Sequence, residues 1–259
     1  MKLLKNSLLV AAIAMVAVAC GKNDRETVDT GDAQDVSAME GTSLDVADGT
    51  QIMWKGFKGL GEAVIYSHQG TVNMTEGSVT VNDGALVGGK FTFDLMTLDV
   101  TDDPEQFPEE KQAGLAGHLL TTDFFGVFTS NENHEIVDTT EANATITFEI
   151  TGVSEYTAPA EGEGEKNEWS TAAPTHNVTG NLTIKGISKS ITFPAHVEVA
   201  EGSVSASAKF FIDRQKWNIT FMAGDAGVVE AGKDQFIKNE MGIGFDFTAG
   251  GTSMDDAAM

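Results

Sequence analysis

Residues 204–213 read VSASAKFFID. Val204, Ala206, Ala208, Phe210 and Ile212 are apolar, and they alternate with Ser205, Ser207, Lys209, Phe211 and Asp213. A period of two puts the first set on one face of a strand and the second on the other. The same period extends outward in both directions. Toward the C-terminus, Ile243, Phe245 and Phe247 alternate with Gly242, Gly244, Asp246 and Thr248. Toward the N-terminus it recurs at Val197 and Val199, at Ile191 and Phe193 before Pro194, and at Val178, Gly180, Leu182 and Ile184. It recurs again at Ile146, Phe148 and Ile150, at Phe91, Phe93 and Leu95, at Val79 and Val81, at Val72 and Met74, and in QIMWK at 51–55. Asn82-Asp83-Gly84 is a hairpin turn signal between two of these runs. Eight to ten strands with one apolar face each predict an antiparallel sheet curled on itself, an all-β barrel. One segment breaks the period. In PEQFPEEKQAGLAGHLLTTDFF, residues 104–125, Gln112, Leu115, Leu119 and Leu120 recur at helical spacing, which predicts a single short helix from about Glu109 to Leu120.

Composition narrows the function. The chain has 259 residues, of which 41% are hydrophobic, enough to bury a core. Its only cysteine, Cys20, rules out a disulfide scaffold. A net charge of −23 offers no field for phosphate backbones, so no nucleic-acid partner is expected. Lys2 and Lys5 precede an apolar run at 8–19 that is too short to span a bilayer. It ends in Ala17-Val18-Ala19-Cys20-Gly21, which resembles a bacterial lipoprotein signal, with Ala17 where leucine is usual. Residues 1–19 are therefore read as a lipoprotein signal peptide and Cys20 as the lipidation site. Acyl chains on Cys20 would be the membrane attachment. Residues 20–48 are acidic, small and free of aromatics, and read as a flexible tether. The barrel domain is expected at 49–250, with a disordered tail at 251–259. Acidic stretches occupy 99–110 and 155–175, the latter too long for an ordinary hairpin loop.

Catalytic and metal chemistry is hard to place. The five histidines, His68, His118, His134, His176 and His196, show no helical pair spacing. The carboxylate pairs Asp102/Asp103 and Glu109/Glu110 stand in polar runs and read as solvated faces. No nucleophile elbow, phosphate loop or EF-hand spacing is present, so no catalytic or metal-binding residues are assigned and the protein is read as a non-enzyme.

Three segments carry a family likeness. LAGHLLTTDFF at 115–125, NVTGNLTIKGISKSITFP at 177–194 and FIDRQKWNI at 211–219 resemble, in order, three motifs of the YceI-like lipid/polyisoprenoid-binding family. The likeness spans about residues 50–249. The chain departs from the family pattern in having Gly126-Val127-Phe128 after the Phe-Phe pair, a longer 155–175 loop, and Gly232-Lys233-Asp234 near the end. The resemblance implies a lipocalin-like antiparallel barrel of about eight strands. It implies no cofactor and no catalysis, and a long isoprenoid lipid, such as a prenyl quinone or polyprenyl lipid, held in a central pore for carriage or storage. On that reading the pore is lined by Trp54, Phe93, Leu119, Phe124, Phe148, Ile184, Phe210, Ile212 and Phe245. Asp213, Arg214 and Lys216 are nominated for closing the barrel end, with Asp213 and Arg214 as a candidate ion pair, or for meeting a head group. His118 is expected to cap or pack the helix. The alternative reading is a surface or periplasmic interaction module that uses the barrel as scaffold and the acidic 155–175 loop as contact. A lipid-anchored envelope protein, in the outer membrane and facing periplasm or surface, is the expected location. Oligomeric state is left open.

Overall fold

The computed structural model describes residues 25–60, 63–132, 135–158, 169–224 and 235–251. Eight long strands form the wall: β1 (Gln51–Leu60), β2 (Ala63–Asn82), β3 (Ala85–Val100), β4 (Thr145–Glu155), β5 (His176–Ile184), β6 (Ile187–Ala200), β7 (Ser203–Asp213) and β8 (Glu240–Gly250). Each pairs antiparallel with its chain neighbours, and β8 returns to pair with β1, closing an up-and-down barrel. Closure removes the sheet edges that an open antiparallel sheet would present. The predicted hairpin joins β2 to β3, with Asp83 at φ 49° and Gly84 at φ 78°, the backbone that a two-residue primed turn requires. This turn and Glu201-Gly202 mark the far end of the barrel. The β1–β2 connection, Lys185-Gly186 and helix α1 (Glu109–Leu119) mark the other, called here the helical end. The helix stops one residue short of the sequence expectation, with Leu120 as its C-cap.

Pro194 does not interrupt its strand. β6 runs through it, because proline's fixed φ suits extended backbone. Its missing N–H has a consequence on the β7 side, where pairing covers only His196–Ala200 against Ser203–Ser207. At the break the Thr171 hydroxyl lies 2.8 Å from Pro194 O and 3.1 Å from Lys209 O, and accepts the Lys209 N–H at 3.0 Å. A side chain thereby replaces the ladder bond that proline cannot make. Farther along the same seam, Thr30–Asp32 pairs with Lys189, Ser190 and Ile191 of β6, and the Val28 N–H donates to Phe211 O of β7 at 2.8 Å.

Residues 25–48 are thus not a loose tether. After filling the β6–β7 seam, the segment crosses the outside of β5. There the Gln34 backbone N–H donates to Asn181 Oδ1 at 2.9 Å and its carbonyl accepts from Asn181 Nδ2 at 2.8 Å. It then pairs Thr42–Asp45 with Val81, Thr80, Val79 and Ser78 of β2. Val46 and Ala47 bridge to the end of β8, closing a second seam at the far end. Val28, Leu44 and Val46 pack against the core. Three apolar anchors, placed opposite open backbone, outweigh the acidic composition that predicted disorder. Replacing Leu44 and Val46 together by serine is expected to cost about 2–4 kcal/mol, since fully burying one such side chain is worth about 1.5–3 kcal/mol. A lowered urea midpoint at unchanged slope checks this. A solvated tether would move it by no more than about 0.5 kcal/mol.

No helix among the described residues is long and apolar enough to cross a membrane. The expected signal peptide at 1–19, Cys20, residues 159–168 of the acidic loop and residues 252–259 of the expected tail lie outside the described residues.

Candidate functional site

The inward faces of the strands do not meet. They enclose an elongated cavity of about 350 Å³, within the range typical of small-molecule sites. Its middle is girdled by phenylalanines from five strands. Phe91 of β3 lies 6.2 Å from Phe148 of β4, which lies 5.6 Å from Phe193 of β6. Phe193 lies 5.9 Å from Phe245 of β8, Phe245 5.8 Å from Phe247, and Phe247 5.5 Å from Phe91, which closes the ring. Phe210 of β7 stacks on Phe193 at 4.2 Å and 10°. All six rings line the cavity. These separations suit the offset and edge contacts that aromatic rings prefer. Phe148 owes its position to Gly180 on β5. A Cβ there would stand 2.5 Å from the Phe148 ring and 2.6 Å from Glu149 O, so only glycine lets the ring lie across the strand.

The cavity is open at one end. Around the far end its lining residues Leu86, Val197, Ala206 and Phe247 are buried. At the helical end the lining includes Tyr66, 43% exposed, and Met222, 39% exposed. Polar lining gathers at this mouth as Lys58, His68, His118, Arg214, Lys238 and Glu240. The His68 ring is held by Asp102 and lies 4.5 Å from Phe107 and 5.2 Å from Tyr66. His118, in the last turn of α1, sets its Nε2 2.9 Å from the Asp123 carboxylate and meets Phe124 and Phe221 edge-on. It packs the helix, as expected from sequence, and also borders the cavity. Asp102 and Asp103 are not merely a solvated face. Asp102 also accepts the Gln69 N–H, and Asp103 accepts the Glu105 N–H and the Gln106 amide, bonds that lower its pKa below the usual carboxylate value. Gln112, buried in α1, donates to Asp102 O and Phe107 O and fixes this loop beside the mouth. Lys185 donates to Phe124 O at 2.7 Å, and burial pushes its ammonium pKa down.

Eight of the nine nominated lining residues border the cavity: Trp54, Phe93, Leu119, Phe124, Phe148, Ile184, Phe210 and Phe245. Ile212 does not. It shares the inward face of β7 but is fully buried in the surrounding core. Alternation assigns a face, while empty space beside that face depends on what the other strands bring. The expected Asp213–Arg214 ion pair is replaced by separate tasks. Arg214 is buried and donates to four backbone carbonyls, those of Lys238 (3.0 Å), Ile219 (2.7 Å), Phe221 (2.9 Å) and Ile237 (3.0 Å). It ties the chain beyond β7 to the segment that leads into β8, which is the barrel-closing role. Asp213 caps the following turn through Gln215 N–H, and the exposed Lys216 lies 3.9 Å from its carboxylate. Tyr66, His68, Lys58 and Lys238 were not nominated from sequence. Residues 63–71 carry no clean alternation, and Lys238 is remote in the chain. No cluster of three or more metal-ligating side chains occurs among the described residues.

Comparison with known proteins places this barrel. Residues 47–249 match the family model of the YceI-like domain. No curated protein matches the chain. Among solved structures it is similar to BcnA of Burkholderia cenocepacia, with 16% identity over 76% of this chain and 96% of that one and a TM-score of 0.46. It is also similar to a polyisoprenoid binding domain from Saccharophagus degradans implicated in plant cell wall breakdown, with 7% identity over 81% and 98% and a TM-score of 0.45. A third likeness is to a YceI protein of Campylobacter jejuni, with 16% identity over 70% and 85% and a TM-score of 0.42.

Proposed function

We propose that this chain, which belongs to the YceI-like domain family, holds the hydrocarbon chain of an isoprenoid lipid in its barrel, without catalysis, as a carrier or store. The observation that supports this most is the form of the cavity, a continuous apolar bore girdled by phenylalanine, open at one end and polar only at that mouth. A bore of that form suits a long chain with one polar end. Each five-carbon isoprene unit buried is worth about 4 kcal/mol at ~0.8 kcal/mol per carbon group. Three or four units therefore offset an association cost of about 4–15 kcal/mol. A prenyl quinone or polyprenyl lipid meets that requirement, and the hydrogen-bonding groups at the mouth suit its head. Acyl chains on Cys20 are the proposed membrane attachment, in the outer membrane of a bacterial envelope.

The test is native mass spectrometry of the processed chain produced in a bacterial periplasm, followed by organic extraction. The expected result is one prenyl lipid per barrel and an acylated Cys20. A barrel that emerges empty and stays empty when mixed with prenyl quinones would overturn the carrier reading, and the interaction module would then become the better account. An unmodified Cys20 would overturn the anchor alone.

A further inference from the structure

We propose that the mouth end of the barrel docks on the bilayer surface, with Leu60 at the end of β1 and Val64, Ile65 and Tyr66 at the start of β2 entering the lipid, so that the ligand passes between membrane and bore without crossing water. The proposal rests on the reading of Cys20 as the anchor. Along the barrel wall, apolar and polar residues alternate between inside and outside. At this end of the β1–β2 hairpin they do not. Val64 (37% exposed), Ile65 (40%) and Tyr66 (43%) are consecutive and all exposed, with Leu60 on the paired strand. Successive residues of a strand point to opposite faces. A bulge interrupts that rule at Ile65, which the pairing skips between Lys58↔Tyr66 and Gly59↔Val64. Three apolar side chains in a row therefore meet solvent where the hairpin projects past the core. Tyr66 borders the mouth, while Val64 and Ile65 line no part of the cavity. Tyr66 is the side chain type that settles at a membrane interface, with an apolar ring and a polar tip.

The hairpin itself is the least acidic part of this end. The chain carries 39 acids and 16 bases, yet the hairpin sequence from Gln51 to Thr75 holds Lys55, Lys58 and a single acid, Glu62. Lys58 stands 5.3 Å from the Tyr66 ring, Lys238 4.9 Å from the Phe236 ring, and Arg25 5.2 Å from the Phe57 ring. Cations paired with aromatic rings beside an apolar tip suit the head-group layer of a bilayer. Because the same end also carries Asp102, Asp103, Glu105, Glu109 and Glu110, it is entry of the apolar residues and not net charge that drives the contact. The chain also arrives at the right place. Arg25 lies on the mouth rim, against Phe57 and 3.9 Å from Glu240, both of which line the cavity. Cys20 is five residues earlier, and five residues reach at most about 18 Å when extended. Because residues 25–48 are bound into the wall rather than free, an anchor at Cys20 has no slack with which to present the far end. A bilayer within that distance of Arg25 meets the mouth.

The test couples the processed chain through Cys20, its only cysteine, to maleimide-headgroup lipid in vesicles of phosphatidylethanolamine with a minority of phosphatidylglycerol. Backbone hydrogen exchange is then compared with that of the uncoupled protein. Exchange at residues 63–66 is expected to slow by roughly tenfold or more, while the turns Asp83-Gly84 and Glu201-Gly202 at the far end stay unchanged. Val64→Ser with Ile65→Ser is expected to abolish the slowing. Neither residue lines the cavity, so the lipid extracted per barrel stays the same. An unprotected tip, or equal protection at both ends, would overturn the docking proposal. Protection that appears without vesicles and grows with protein concentration would overturn it in favour of a second copy of this chain. The two readings fail separately, since an empty barrel with a protected tip overturns the isoprenoid reading, whereas a loaded barrel with an exposed tip overturns docking.

Discussion

Replacing Arg214 by methionine is expected to destabilise the barrel by about 3–5 kcal/mol, by leaving buried acceptors without their donor. Methionine fills similar space and supplies no N–H. Four carbonyls, two in buried and two in part-buried bonds, from Ile219, Phe221, Ile237 and Lys238, would lose this donor. These carbonyls belong to the two segments that lead from β7 and into β8, so the damage falls on closure of the barrel rather than on one strand. Urea denaturation followed by tryptophan fluorescence is a direct reading, because the fully buried Trp217 sits on the same turn and donates to Leu182 O. Arg214→Lys is expected to recover less than half of the loss, since an ammonium has three donors and no planar fork to span four acceptors. The head-group reading of Arg214 predicts the reverse pattern, with full stability and a lost ligand.

Arg214 also shows what the sequence can and cannot reveal. Its position in FIDRQKWNI marked it as a residue that matters, and its place after β7 put it at the barrel end. The sequence could not name its partners. They are main-chain carbonyls, two of them more than twenty residues away, and carbonyls carry no residue identity. The strand register, by contrast, was open to reading. Val204 to Ile212, Val178 to Ile184 and Phe91 to Leu95 repeat a period that only a strand face explains, and all three lie in β7, β5 and β3 as expected. Much of β2 was not visible. Its pairing shifts register between Thr71 and Asn73, between Met74 and Glu76, and between Thr80 and Val81. Each bulge moves the alternation by one and erases the pattern that identifies a strand.

The N-terminal segment was misread for a related reason. Thr30–Asp32 and Thr42–Asp45 are too short to show a period. Their stability comes from seams in the wall opened by Pro194 on one side and by the departure of β2 from β1 on the other. Composition describes what a segment can do alone, and here the partner decides. The mouth follows the same logic. Tyr66, His118, Met222 and Lys238 come from four separated stretches and become neighbours only when the helix folds back over the barrel end.

Ala206→Trp is expected to empty the bore of lipid while the barrel stays folded. Ala195 on β6 and Ala206 on β7 line the cavity, with Phe247 the register partner of Ala206. The wall is small where they stand and aromatic beside them, so a larger side chain at either position takes volume from the cavity. An indole at 206 would occupy volume that the proposed isoprenoid needs. Each excluded unit removes about 4 kcal/mol of burial, roughly three decades of affinity. The cost to the fold is small by comparison, about 1–3 kcal/mol if the ring crowds its neighbours and less if it settles into the cavity. Ala195→Phe tests the same space from the next strand and guards against a local packing failure at 206. Lipid extracted per folded barrel, with the fold verified by near-ultraviolet circular dichroism, gives the reading. A folded Ala206→Trp protein that still carries a full complement of prenyl lipid would place the ligand outside the bore, and with it the phenylalanine girdle would become a core like any other. Loss of lipid from both variants at near-normal stability requires the opposite, that the apolar space these alanines leave open is the binding site itself.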